Sequence, residues 1–419
     1  MATLVGFVLG IHIALGRLLN WGSPERSADL VHAHGQVQLL GFAGLFVMGM
    51  SLRLMPRFAG SRIAPPILVP ITLGLFVLSL IIRAVVMPWV SDGIYTALRY
   101  ISVYGVLVAS GCYLLIVGGT LTVDVRRFEV TSLTFLLGAF MLFLASTVAV
   151  FSTFDAIEEG SSRLPYLANN AIVQMELLGF LASFILGVAL RAIPTMVGIE
   201  RPGRSAYVLA LQLATSVTVF AAGLLYLEYV SYALGVVLLV DAAFIVLGPT
   251  ILWLAWQAGV LRQVANRIAP ASQPNLWLIR SAFAWMVATA LGMVYVGSSA
   301  FAAGELPTEL EFDMVRHAFS VGVVTMLIAG MAMMILPEFA VGRQRPNRQP
   351  QLAFILVAFL NIAAVLRVAP SLAGTSWTFD QRNLSMAIAG SLAEAALLIF
   401  AVYFLRLRSR VNKGEADGR

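Results

Sequence analysis

Four histidines occur in 419 residues, and three of them, His32, His34 and His317, stand where a polar segment gives way to a long apolar run. His32 and His34 open VHAHGQVQLLGFAGLFVMGM (31–50), and His317 opens the run in RHAFSVGVVTMLIAGMAMMILPEF (316–339). An ionisable side chain inside a bilayer is costly, so it carries a functional expectation by default. Two imidazoles from separate helices would fill both axial positions of a haem iron and leave a low-spin centre suited to electron transfer. The plain alternative is that His34 and His317 only hydrogen-bond across helices near the membrane interface.

The elements that position these side chains follow from composition. Hydrophobic residues make up 60% of the chain, charged residues 11%, and the mean hydropathy is +0.90, which excludes an ordinary soluble domain and predicts an all-α polytopic membrane protein in contact with the lipid bilayer. The net charge of +6 does not indicate a nucleic-acid partner, because the arginines are scattered through short loops between apolar runs. Cys112, in GVLVASGCYLLIV, is the one cysteine, so there is no disulfide framework and no Cys-x-x-Cys-His attachment site. A haem here is therefore expected to be haem b.

Apolar runs cut by Pro, Gly and charge clusters number about twelve, near 2–19, 32–55, 66–88, 96–121, 130–150, 168–193, 205–227, 230–255, 279–300, 314–337, 351–368 and 384–405. The polar stretch NWGSPERSADL (20–30) reads as a loop. That places His34 in the first turn of its helix and makes it the more mobile of the two candidate ligands. Roughly 19 of the 27 Lys and Arg fall on the side holding both termini, in DVRRFE, GIERPGR, VGRQRPNR and the tail RLRSRVNK, which makes that side cytoplasmic. The acid-rich loops FDAIEEG and GELPTELEFD then face outward, as do His32, His34 and His317.

Self-comparison gives the organisation. LLGFAGLFVMGMSLRLMPRF (39–58), LLGFLASFILGVALRAIPTM (177–196) and SVGVVTMLIAGMAMMILPEF (320–339) align on Gly41/Gly179/Gly322, Gly49/Gly187/Gly330 and Pro56/Pro194/Pro337. The period is about 140 residues, and each copy is the second helix of a four-helix set. The expected architecture is three pseudo-threefold four-helix repeats, about 1–121, 130–255 and 279–405, in one membrane domain with a basic cytoplasmic tail over 406–419. The glycines permit close approach of a neighbouring helix or a flat ligand, and each proline is expected to end its helix.

The histidines break this symmetry. His34 corresponds to Ile172 and Val315, and His317 corresponds to Gln36. At about 100° per residue the two positions lie about 200° apart around otherwise equivalent helices, so their imidazoles could meet across a shared space.

With three four-helix arcs, His34–Gly35 opening the second helix and RHAFSVG opening the tenth, the chain resembles the haem-copper oxidase superfamily. HAHGQVQLLGFAGLFVMGM together with RHAFSVG resembles the NnrS family more closely. That resemblance implies a membrane haem protein connected with denitrification and nitric oxide stress, with haem and copper attributed to the family. It assigns His34 and His317 to one low-spin haem. The departures exclude an oxygen-reducing terminal oxidase: Val315 stands where the catalytic haem ligand would be, and the helices near 168–227, which supply copper ligands in the oxidases, contain no histidine. An oxidoreductase-like haem protein of the bacterial-type inner membrane remains, with nitric oxide or a small redox partner.

Three further assignments follow. Arg316, beside His317, and Arg382, in TFDQRN, are candidate donors to haem propionates or else interfacial anchors. His32 either binds copper with His12 or a methionine, or is a solvated interfacial histidine. Glu176, Asp241 and Glu394 lie deep in apolar runs, as polar contacts between helices or as a proton path. In an alternative function, a twelve-helix transporter or channel, they would form a midplane acidic site.

Overall fold

The computed structural model describes residues 2–20, 24–87, 92–122, 129–197, 205–261, 273–341, 350–372 and 376–412. Without water in the hydrocarbon layer, a chain this apolar must close its backbone hydrogen bonds within each segment, and the described residues form twelve helical rods and no strand. The first set comprises α1 (Ala2–Leu19), α2 (Pro24–Gln36, Val37–Gly44 and Leu45–Ala59 in unbroken succession), α3 (Leu68–Ile81 with Ile82–Val86) and α4 (Asp92–Leu121). The second comprises α5 (Val130–Glu158), α6 (Tyr166–Gln174, Met175–Leu181 and Ala182–Val197), α7 (Ser205–Tyr229) and α8 (Leu234–Ala258). The third comprises α9 (Gln273–Ala303), α10 (Glu309–His317, Ala318–Thr325 and Met326–Val341), α11 (Pro350–Leu372) and α12 (Phe379–Asn412).

Eleven of these rods carry a span long and apolar enough to cross a bilayer, and α1 adds a shorter apolar helix, Val5–Leu19. The protein is an all-α polytopic membrane protein. Its outer surface carries exposed Leu73, Leu78, Leu115 and Phe151, side chains that belong against lipid. Exposed Tyr226, Tyr229 and Tyr232 gather where α7 gives way to α8, and exposed Trp253, Trp256 and Trp277 where α8 gives way to α9. Aromatic residues grouped at opposite ends of the helices are the pattern of the two membrane–water interfaces.

The sets close into a ring in which the fourth helix of each packs on the first of the next: α4 on α5, α8 on α9 and α12 on α1. The second helices occupy the middle. In α6 and α10, 89% and 83% of the apolar span is buried inside the protein, against 28% in α12. Each second helix contains a π-helical segment, Val37–Gly44 in α2, Met175–Leu181 in α6 and Ala318–Thr325 in α10. When the chains are aligned on Gly41, Gly179 and Gly322, all three segments begin at the same position. The segment of α2 packs against those of both α6 and α10, so the widened turns meet at the centre of the bundle.

Several sequence expectations change. Pro24–Leu30 is helical rather than loop, because proline at a first helical position loses no intrahelical bond and presets φ for the helix. His34 therefore lies ten residues into α2, not in its first turn. The aligned prolines do not end their helices either. Pro56 and Pro194 lie inside, the chain continuing to Ala59 and Val197, and α10 likewise runs past Pro337 to Val341. In α2 the stop comes from Gly60, whose φ of 64° lets its N–H return to the Pro56 carbonyl. The expected tail over 406–419 begins as a continuation of α12 to Asn412, and its remainder lies outside the described residues.

Candidate functional site

His34 and His317 stand just ahead of the π-helical segments of α2 and α10, which pack together at the centre of the bundle. A capping box starts α10: the Thr308 hydroxyl accepts from the Glu311 N–H at 3.4 Å, and the Glu311 carboxylate accepts from the Thr308 N–H at 2.7 Å. Two turns later His317 is the last residue before the π-helical segment. His317 Nδ1 lies 2.9 Å from the Asp313 carbonyl oxygen and 3.1 Å from Asp313 Oδ1. Asp313 Oδ2 and Oδ1 accept from both Nη atoms of Arg367 on α11, at 2.7 and 3.0 Å. The side chains of Asp313, His317 and Arg367 are 21%, 21% and 18% exposed, enclosed enough for the pairing to matter and open enough for a ligand to reach the imidazole.

His34 is fixed differently, by α1. Its Nδ1 lies 2.7 Å from the Gly6 carbonyl oxygen, and the ring rests on Gly10, where an added Cβ would come within 2.8 Å of Cε1. Glycine is required there for the imidazole to lie against the α1 backbone. His317, Asp313 and Arg367 are among the groups that act electrostatically on His34.

Tautomers follow from this geometry. A carbonyl oxygen only accepts, so each Nδ1 carries a hydrogen and Nε2 is the ring nitrogen that these contacts leave for a metal. Histidines that bind a metal through one ring nitrogen commonly donate the other N–H to a carbonyl or carboxylate. His317, with a carbonyl, a carboxylate and an arginine arrayed behind it, has that support in full. The two candidate propionate donors show unmet capacity: Arg316 Nε and Arg382 Nε are both buried without a hydrogen-bond partner. Arg316 sits over the Phe312 ring at 6.0 Å, and Arg382 lies in the first turn of α12 with its N–H on the Thr378 carbonyl. Imidazole nitrogens left out of these contacts and orphaned buried guanidinium N–H groups are the donor types that an anionic haem would use.

His32 points elsewhere, into a cavity of about 30 Å³ that it shares with Asp29, Arg83, Tyr95 and Arg99. His12 is exposed on α1. A copper ion at His32 would meet two guanidinium groups, and among the described residues no group of three His, Cys, Asp or Glu side chains is placed to hold a metal ion. His32 is thus a cavity-lining residue rather than a solvated surface one.

The deep acids are separated. Glu176 accepts from Gln36 Nε2 at 3.3 and 3.4 Å, a polar contact between α6 and α2. Asp241 on α8 is fully buried with both carboxyl oxygens unpartnered, and Glu394 on α12 leaves Oε2 unpartnered. The three stand on different helices, α6, α8 and α12, and none is a hydrogen-bond partner of another.

Sequence reading missed Asp313 and Arg367. Asp313 was legible as the residue one helical turn before His317, and Arg367 as an arginine within the apolar run AFILVAFLNIAAVLRVA. No protein-family model matches the chain, and no curated protein matches it.

Proposed function

We propose that this is an integral membrane haem protein of the kind its motifs resemble, the NnrS family, with one haem b between His34 and His317. The observation that carries the reading is the shared anchoring of the two imidazoles: each has Nδ1 against a main-chain carbonyl, which leaves Nε2 for a metal, and they stand on helices whose π-helical segments pack together. Asp313 makes His317 the more firmly oriented ligand. Arg316 and Arg382 offer buried Nε–H groups to the propionates. A haem held on both faces supplies one-electron transfer without an open coordination position.

The topology inferred from the arginines puts this site near the outer face of a bacterial-type inner membrane with both termini cytoplasmic, within reach of a small redox partner or of nitric oxide. The role is oxidoreductase-like, in electron transfer or in the response to nitric oxide, and not oxygen reduction, since Val315 and the histidine-free α6 and α7 leave no second metal centre.

Titration of the purified full-length protein with haemin, followed by dithionite reduction, tests this. One equivalent should bind with a Soret band and sharp reduced α and β bands. His34→Ala and His317→Ala should each lose the low-spin spectrum, and His12→Ala should leave it intact. A wild-type protein that binds no haemin saturably contradicts the proposal.

A further inference from the structure

The three second helices can be compared one position at a time, and nine residues before the aligned glycines they carry His32, Asn170 and Asp313. Each of these side chains belongs to the turn that faces the third helix of its own set. In the third set Asp313 meets Arg367 of α11 in a two-bond ion pair. In the second set Asn170 is neutral, and α7 contains no arginine to be matched. In the first set α3 carries an arginine, Arg83, but the residue opposite is His32, and an imidazole never supplies a negative charge.

What stands in place of the missing carboxylate is the cavity of about 30 Å³. Its lining includes Arg83 and Arg99, each only 7% exposed. Each guanidinium has five N–H donors. Arg83 Nε donates to Ser102 Oγ at 3.1 Å, and one Arg99 Nη donates to the Ser161 carbonyl at 2.7 Å; neither forms an ion pair with a described residue. The nearby acids are engaged or set back. Asp29 accepts the Tyr95 hydroxyl at 2.6 Å, and Glu176, which acts on Arg83 from outside the lining, is held by Gln36. Among the described residues the two buried cations share one lining carboxylate, with Glu176 the next and outside the lining, and buried charges are normally matched at close range.

We propose that this cavity binds one small monovalent anion, of halide or formate size, doing for Arg83 and Arg99 what the Asp313 carboxylate does for Arg367. The space is about that of two water molecules, which admits chloride or formate and excludes sulfate or a lipid phosphate. The site is separate from the haem reading and does not rest on it, since His32 and His34 point to different sides of α2.

Thermal unfolding of the purified full-length protein in detergent tests the site, with sodium gluconate replaced by sodium chloride or sodium formate at constant ionic strength. The midpoint should rise saturably with chloride or formate and should not rise saturably with sulfate. Arg99→Gln should weaken the apparent affinity by about tenfold or more, the scale of a lost charge-assisted contact. His32→Asp, which installs the residue of the third set, should abolish the anion dependence while unfolding in gluconate at or above the wild-type midpoint. A wild-type midpoint indifferent to chloride and formate overturns the site, as does a saturable rise that survives in His32→Asp. An unchanged haem spectrum in His32→Asp would show that a failure here leaves the haem proposal untouched.

Discussion

The junction of the third and first sets and the junction of the first and second are built from equivalent helices and filled with different chemistry. At the first, His317 is backed by Asp313 and Arg367, and all three act electrostatically on His34. At the second, the position of His317 is Gln36, which reaches across to Glu176, and the position of His34 is Ile172. One backbone geometry thus presents a pair of imidazoles, the proposed haem ligands, in one place and a plain interhelical hydrogen bond in another. The difference teaches that in a pseudosymmetric bundle the scaffold fixes where side chains meet, and single substitutions decide what the meeting does.

The largest effect should come from breaking the supported histidine. Asp313→Ala leaves Arg367 unpaired and His317 without its carboxylate, and should cost about 3 kcal/mol of stability, the scale for orphaning one partner of an enclosed ion pair. Haemin affinity should fall with it. Unfolding in denaturing detergent alongside haemin titration checks both, and an unaltered haemin affinity would detach Asp313 from the site.

Aligned glycines sharpen the comparison at an intermediate scale. An added Cβ at Gly187 would lie 2.5 Å from the Phe135 ring, whereas at Gly49 it would meet nothing within 4 Å. Gly187→Ala should therefore destabilise by about 1–3 kcal/mol through overpacking. Gly49→Ala should be neutral or gain up to about 1 kcal/mol from helix propensity. Paired thermal midpoints decide this, and equal losses would mean that the equivalent glycines do equivalent work.

The smallest effect should be at the other junction. Glu176→Gln retains an acceptor for Gln36, whose contacts of 3.3 and 3.4 Å are long, so the change should stay within about 1 kcal/mol and leave haemin binding unaltered. Loss of haemin binding in this variant would move the functional centre to the first junction.

Much of this contrast was legible in the sequence because it lies in residue types at fixed spacing. Glycine and proline at Gly41, Gly49 and Pro56 and their counterparts disclosed the repeat, and Val315 and Gln36 marked where the histidines depart from it. Three things were hidden. The π-helical segments have no compositional sign, since VQLLGFAG and AFSVGVVT are ordinary apolar stretches and the extra residue per turn is decided by packing at the bundle centre. Polarity made Pro24–Leu30 look like a loop, although backbone hydrogen bonding continues a helix beyond its apolar stretch. His32 looked like a solvated neighbour of His34 because spacing gives the direction of a side chain but not the arginines of α3 and α4 that await it.

The correction to α2 also bears on which ligand yields. His34 is held by one carbonyl from another helix, and His317 by a carbonyl and a carboxylate of its own. The most direct test of the central claim is therefore the haem absorption spectrum of the reduced protein in wild type, His34→Gly and His317→Gly, each with and without added imidazole. The account predicts a low-spin wild type, a His34→Gly protein that keeps haem and regains the low-spin bands with imidazole, and a His317→Gly protein that retains little haem. A low-spin spectrum that persists in either variant without imidazole would contradict the pairing of these two histidines.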